Sequence, residues 1–158
     1  MRFLTRELYE AMQLESPDEP TDSPRVSNAI AEWSHAAEQN RLAFEAIHES
    51  LPPGARVHFA ENLLHDARIE SVEQGTSELT FTLRHVATRL WPSIVYRLVI
   101  YTVQLAEGID VLEGQHWLYH EVHLTNDAAF ELRVLCDKTS FRVMGEEVTL
   151  SQRFDVSQ

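Results

Sequence analysis

The chain has 158 residues and a mass of 18.2 kDa, with 25 acidic and 13 basic residues and a formal net charge of −12. That length fits a single domain over 1–158 that buries its own core, and the charge argues against nucleic acid as a partner, because such binding rests on Lys and Arg neutralising phosphates. The one cysteine, Cys136, excludes an internal disulfide and a cysteine-rich zinc site.

In chain order, the spacing predicts a short helix over 3–14. Thr5 is placed to cap it, Glu7 sits in the first turn where the helix dipole favours an anion, and Leu8 and Met12 share a face. Arg6 and Glu7 interrupt any apolar run at this end, so no signal peptide is expected and the expected compartment is the cytoplasm, which a lone thiol suits. No apolar run approaches the roughly 20 residues of a membrane helix, and no membrane partner is expected. Ser16 to Pro24 carries three prolines and three acids in nine residues, which excludes helix and strand and marks a linker over 16–24.

The stretch 25–50 is the clearest helix. Val26, Ile30, Trp33, Ala37, Phe44, Ile47 and Leu51 form one apolar stripe, with Trp33 in the core and Glu32, Glu38, Arg41, Glu45 and Glu49 on the solvated sides. The stripe fits one helix, or two with a break near Asn40. Pro52-Pro53-Gly54 ends it, and Phe59, Leu63 and Leu64 fit a short helix over 55–64.

After His65 the period changes to two. Strands are expected over 67–72, 79–84, 94–105, 117–124, 130–136, 141–144 and 148–152, with turn chemistry between them. The run 94–105 is apolar on both faces, as in a central covered strand. The short connections demand antiparallel neighbours. The fold class is therefore α+β: N-terminal helices, with the long one near 25–50, packed on a C-terminal antiparallel meander of six or seven strands.

The densest chemistry is His116-Trp117-Leu118-Tyr119-His120-Glu121-Val122-His123. On a helix, His116, His120 and His123 would share a face and could hold one metal ion. On a strand, which the Trp, Tyr and Val content favours, His116 and His120 would point one way and Glu121 and His123 the other. His65 and Asp66 stand at the helix-to-strand junction, where a carboxylate can orient an imidazole; as neighbours on a strand they would face opposite sides. Trp91, beside Pro92 in a predicted loop, and Tyr119 are aromatic candidates for a binding surface. Cys136, beside Val134 and Leu135, reads as a buried, inert thiol. No nucleophile elbow, dinucleotide fingerprint or phosphate loop is present, so no cofactor is expected.

Phe3-Leu4-Thr5-Arg6-Glu7-Leu8-Tyr9-Glu10-Ala11-Met12-Gln13 resembles the opening of a bacterial family known only as a domain of unknown function. Leu64-His65-Asp66-Ala67, Trp117-Leu118-Tyr119-His120-Glu121-Val122 and Phe130-Glu131-Leu132-Arg133-Val134-Leu135 extend the resemblance over most of the chain. It implies a cytoplasmic bacterial α+β protein and carries over no activity.

The functional expectation is a non-enzymatic, acidic protein-interaction module with a partner that is itself basic; pairing of an edge strand would also allow a homo-oligomer. The alternative is a small metal-dependent or acid–base enzyme using the His65/Asp66 and His116–His123 clusters.

Overall fold

A computed structural model describes residues 1–13, 24–88, 92–125 and 129–155. Helix α1 spans Arg6–Gln13 and α2 spans Pro24–Ile47; a 3-10 turn at His48–Ser50 leads to α3, Pro53–His58. The cap on α1 is Thr5, whose Oγ1 accepts the Leu8 N–H at 3.3 Å. Helix α2 runs through Asn40 without a break. The expected linker over 16–24 lies outside the described residues except for Pro24, which opens α2 at the start position proline favours.

The inner stripe of α2 differs from the expected one. Val26, Ala29 and Ala36 are buried and Trp33 is half-buried, while Ile30 is 50% exposed and Ala37 is exposed. The contact face runs through Val26, Ala29, Trp33, Ala36, Asn40, Phe44 and Ile47, a helical spacing that includes a polar residue. A stripe chosen by apolarity alone passes over Asn40 and takes in Ile30.

The strands are β1 Ala67–Gln74, β2 Glu78–His85, β3 Ser93–Tyr101, β4 Leu105–Glu107, β5 His116–Leu124, β6 Phe130–Cys136, β7 Ser140–Gly145 and β8 Glu147–Asp155. Every pairing among them is antiparallel, in the order β4-β7-β6-β5-β1-β2-β3-β8. The fold class is α+β, with one strand more than expected. The extra strand begins at Leu105, the last residue of the expected 94–105 run. Thr102 takes a left-handed φ of 53°, which ends β3, and the chain then pairs with β7 as β4. The order is also not one meander: β1-β2-β3 and β5-β6-β7 are two meanders joined by β1 and β5, and β8 returns to the outer side of β3.

The sheet curls on itself. Phe81 on β2 and Phe141 on β7 lie four strands apart in the order, yet their rings stack at 5.3 Å. Trp117 meets both rings edge-on. The inner face holds the core, with Trp117, Phe81 and Phe130 fully buried. Each such side chain contributes on the order of 3 kcal/mol from apolar area removed from water. Leu51, Ala55, Phe59 and Leu64, from the segment through α3, join the same core.

Gly54 is what lets α3 settle on β8. Its N–H donates to Glu147 Oε1 at 3.0 Å, and a Cβ there would overlap the Val148 carbonyl oxygen. β8 is a sheet edge, and α3 covers its beginning.

Candidate functional site

The joint between the two meanders is narrow. β1 and β5 pair only at Ala67–Trp117 and Arg68–His116, extended by Asp66 N–H to Trp117 O and Ile69 N–H to Gln115 O, both 2.8 Å. Beyond Trp117, β5 leaves β1, and α2 meets the abandoned side: Asn40 Nδ2 donates to His120 O at 3.1 Å. A bulge between Trp117 and Tyr119 shifts the register there. Trp117 and His120 consequently share a face, their ring centroids 6.1 Å apart. Strict alternation, which pairs His116 with His120, breaks at that bulge.

The three imidazoles have three different surroundings. His116 Nδ1 stands 3.4 Å from Asp137 Oδ2. His123 Nε2 donates to Glu121 Oε2 at 3.3 Å. His120 is buried, and its Nε2–H donates to Phe59 O at 3.3 Å. They do not converge, and among the described residues no group of three His, Cys, Asp or Glu side chains is placed to hold a metal ion.

Glu121 is fully buried and binds the start of the chain. Its carboxylate accepts the backbone N–H groups of Arg2 at 2.6 Å, Phe3 at 2.7 Å and Leu4 at 2.7 Å. Burial alone would push this carboxyl up. The bonds from His123 and from the Arg2, Leu4 and Phe3 amides outweigh it and hold the carboxyl down at about 2. Arg6 completes the attachment, its guanidinium donating to the carbonyl oxygens of Cys136, Asp137 and Thr139. Nothing in a linear reading links Glu121 to residues 2–4; the fold alone brings them together.

His65 and Asp66 do meet. Asp66 takes a left-handed φ of 62°, so the two are not neighbours on an extended strand, and His65 Nδ1 lies 3.0 Å from Asp66 Oδ2. His85 Nε2–H donates to His65 O at 2.8 Å. The His65 ring stands edge-on to Tyr119 at 4.8 Å, and Tyr119 in turn packs with Trp33 and Tyr9. That aromatic cluster fastens α1 and α2 to β5. Trp91 lies outside the described residues. Cys136 is buried, and burial, with the Asp137 charge beside it, pushes its thiol up to about 12.

A cleft of about 230 Å³ opens where α2 bridges the joint. Its walls include Leu4, Phe44, Phe59 and Val122, with Asn40 and Asn62 among the polar groups. His120 lines it, and its Nδ1 is a buried nitrogen without a hydrogen-bond partner. Burial lowers the His120 pKa, so the ring is neutral. The Phe59 carbonyl can only accept, which places the proton on Nε2 and leaves Nδ1 as a lone-pair acceptor. Sequence pattern reads Asn40 as the place of a break in the long helix and Phe59 as part of a short one, and links neither to His120. The one legible signal was a polar residue at a helical inner position.

The negative charge is unevenly compensated. Glu38 and Glu45 flank Arg41, Glu70 and Asp155 flank Arg84, and Glu107 and Glu131 flank Arg142. Glu73, Glu78, Asp110 and Glu113 are exposed and have no ion-pair partner among the described residues. They stand at one end of the sheet, where the loop before β5 runs beside β1 and Gly114 N–H donates to Ile69 O at 2.8 Å. Asp110 and Glu113 line a shallow surface with Val72, Gln74 and Val111, the last 63% exposed.

The family model for a protein of unknown function, DUF4085, matches residues 1–144. The chain belongs to that family. The match takes in the helices, the β1–β5 joint, Glu121 and the cleft, and reaches into β7. No curated protein and no solved structure matches the chain. Among the described residues, no helix of this DUF4085 member is long and apolar enough to cross a membrane.

Proposed function

We propose that this DUF4085 protein is a non-enzymatic, acidic interaction module that receives a basic segment of a protein partner at the end of the sheet formed by the β1–β2 turn and the loop before β5. The observation that carries the reading is the grouping of Glu73, Glu78, Asp110 and Glu113, exposed and without an ion-pair partner among the described residues, at one end of the sheet, whereas Glu38, Glu70 and Glu107 are each matched by an arginine. Desolvating a carboxylate already paired with arginine costs more than it returns, whereas an unpaired, exposed one is free to take a guanidinium or ammonium group from outside. Exposed Val111 adds apolar area beside the charges. The long-range field of a chain at −12 would speed encounter with a basic partner.

The non-enzymatic part of the reading rests on how the titratable groups are used. Glu121 is taken by three backbone amides and His123, His116 faces Asp137, and the Cys136 thiol is buried. The His65–Asp66 pair is formed, but neither residue lines the cleft that His120 lines. The test is capture from lysate of the host cell on immobilised protein, read by mass spectrometry. A stoichiometric basic protein held at low salt and released at high salt is the expected result. Retention that ignores salt, or no partner at either salt, overturns the reading.

A further inference from the structure

We infer that the partner's basic segment docks as an added β-strand on the open edge of β1 at residues 72–74, with apolar side chains turned towards Val72 and Ile109 and lysine or arginine between them. The inference rests on the acidic-end reading and adds to it the form in which the partner binds.

β1 has a neighbour on one side from Arg68 to Gln74 and on the other only at its start. β5 pairs with Ala67 and Arg68, and the loop before it reaches Ile69, whose N–H and C=O bond to Gln115 and Gly114. The direction of the remaining backbone groups follows from the bonds on the β2 side. Gly75 N–H donates to Glu78 O at 2.8 Å, so in an antiparallel ladder Glu73 and Ser71 also turn towards β2, and Val72 and Gln74 turn away from it. The bulge between Ile69 and Ser71 passes the outward position from Ile69 to Val72. The N–H and C=O groups of Val72 and Gln74 therefore face out of the sheet, with no protein partner among the described residues.

The two strands that part at the joint are treated differently. Where β5 leaves β1, α2 comes in beside it, with Asn40 bonded to His120 O. Beside β1 there is instead a shallow groove of about 380 Å³, bounded by Val72 and Gln74 and by Ile109, Asp110, Val111 and Glu113 of the loop. An unpaired strand edge is a template for another strand.

The groove also selects the strand. Val72 and Ile109 are half-buried and pack on the core, so an apolar side chain laid over them extends that core. Glu73, Asp110 and Glu113 are exposed and have no ion-pair partner among the described residues. A second copy of this chain, at −12, would bring like charge to them, whereas a basic strand brings the opposite charge. In such strand addition the main-chain bonds supply affinity and the alternate side chains supply the choice of partner.

The test uses the whole chain, labelled with 15N, and two capped peptides of equal charge. One is Lys-Val-Lys-Val-Lys-Val-Lys. The other is the same peptide N-methylated at its central valine and the following lysine, which closes both strand edges there. The methylated peptide is expected to bind at least tenfold more weakly, in keeping with the loss of main-chain hydrogen bonds. The parent peptide is expected to slow hydrogen exchange at the Val72 and Gln74 amides at least tenfold. Gln74→Pro removes one outward N–H and leaves the β2 ladder intact, and it should weaken the parent peptide to a similar extent. Should that variant not fold, the peptide pair on the wild type still decides. If both peptides bind alike at low salt and exchange at Val72 and Gln74 is unchanged, strand addition is overturned while the acidic-end reading stands. If the parent peptide does not bind, strand addition is overturned as well, and the lysate capture judges the acidic-end reading on its own.

Discussion

The Leu4 backbone N–H donates to Glu121 Oε1 at 2.7 Å, joining residues 117 positions apart inside the protein. With the Arg2 and Phe3 amides it makes the first residues of the chain part of the sheet's outer packing. The carboxylate is the only acceptor these three amides have in common, so its loss should be felt at once. Glu121→Ala is expected to lower unfolding free energy by about 3 kcal/mol, the cost of stranding several buried donors. Denaturant melts measure the loss, and faster hydrogen exchange at Arg2, Phe3 and Leu4 locates it.

The same carboxyl sets an acid limit. It titrates at about 2 in the folded chain against an ordinary 4.5. The folded value is the lower one, so on acidification the unfolded chain takes up the proton first. The contribution is complete above about pH 4.5 and is lost as pH falls towards 2, for a total of about 3 kcal/mol. Stability measured between those limits should fall in the wild type and fall much less in Glu121→Gln, which cannot titrate.

His120 acts over a higher range. Burial holds its folded pKa below the ordinary 6.5, so the unfolded chain protonates first as pH drops through 6.5. The wild type should therefore lose stability on going below that pH, and His120→Phe should show a flatter profile there. Urea melts at a series of pH values from neutral down to 5 compare the two.

Gly54→Ala tests how α3 meets the sheet. The added methyl would overlap the Val148 carbonyl oxygen, and backbone cannot move aside cheaply. A loss of about 2 kcal/mol or more is expected, with the damage localised by hydrogen exchange to α3 and the start of β8. The neighbouring surface substitution Val57→Ala, at an exposed site, should cost little and serves as the control.

The elements that were legible in the sequence are those that short-range patterns dictate. Thr5 three residues before Leu8 announced the cap of α1, and the change of period after His65 announced the sheet. What escaped depends on contacts between distant segments. The bulge between Trp117 and Tyr119 leaves no mark in a string of aromatic and histidine residues, yet it decides which face His120 takes. Asn40 reads in sequence as a break point of the long helix, because a polar residue on an inner face has a purpose only once the β5 carbonyl opposite it is known. Thr102 ends the expected 94–105 strand early with a left-handed backbone, and the chain pairs again only from Leu105 as β4, a crossing that no local pattern marks. The His65–Asp66 contact likewise depends on the left-handed turn at Asp66, which an alternating pattern cannot foresee.

The central claim is that the acidic end of the sheet receives a basic protein. The most direct measurement reverses that charge and nothing else: wild type and Glu73→Lys/Glu78→Lys/Asp110→Lys/Glu113→Lys are immobilised side by side and exposed to the same host lysate at low salt. All four side chains are exposed, so the fold should survive, as circular dichroism would verify. A basic partner recovered stoichiometrically on the wild type and absent from the variant is the predicted result. Equal recovery of the same partner on both proteins would contradict the claim.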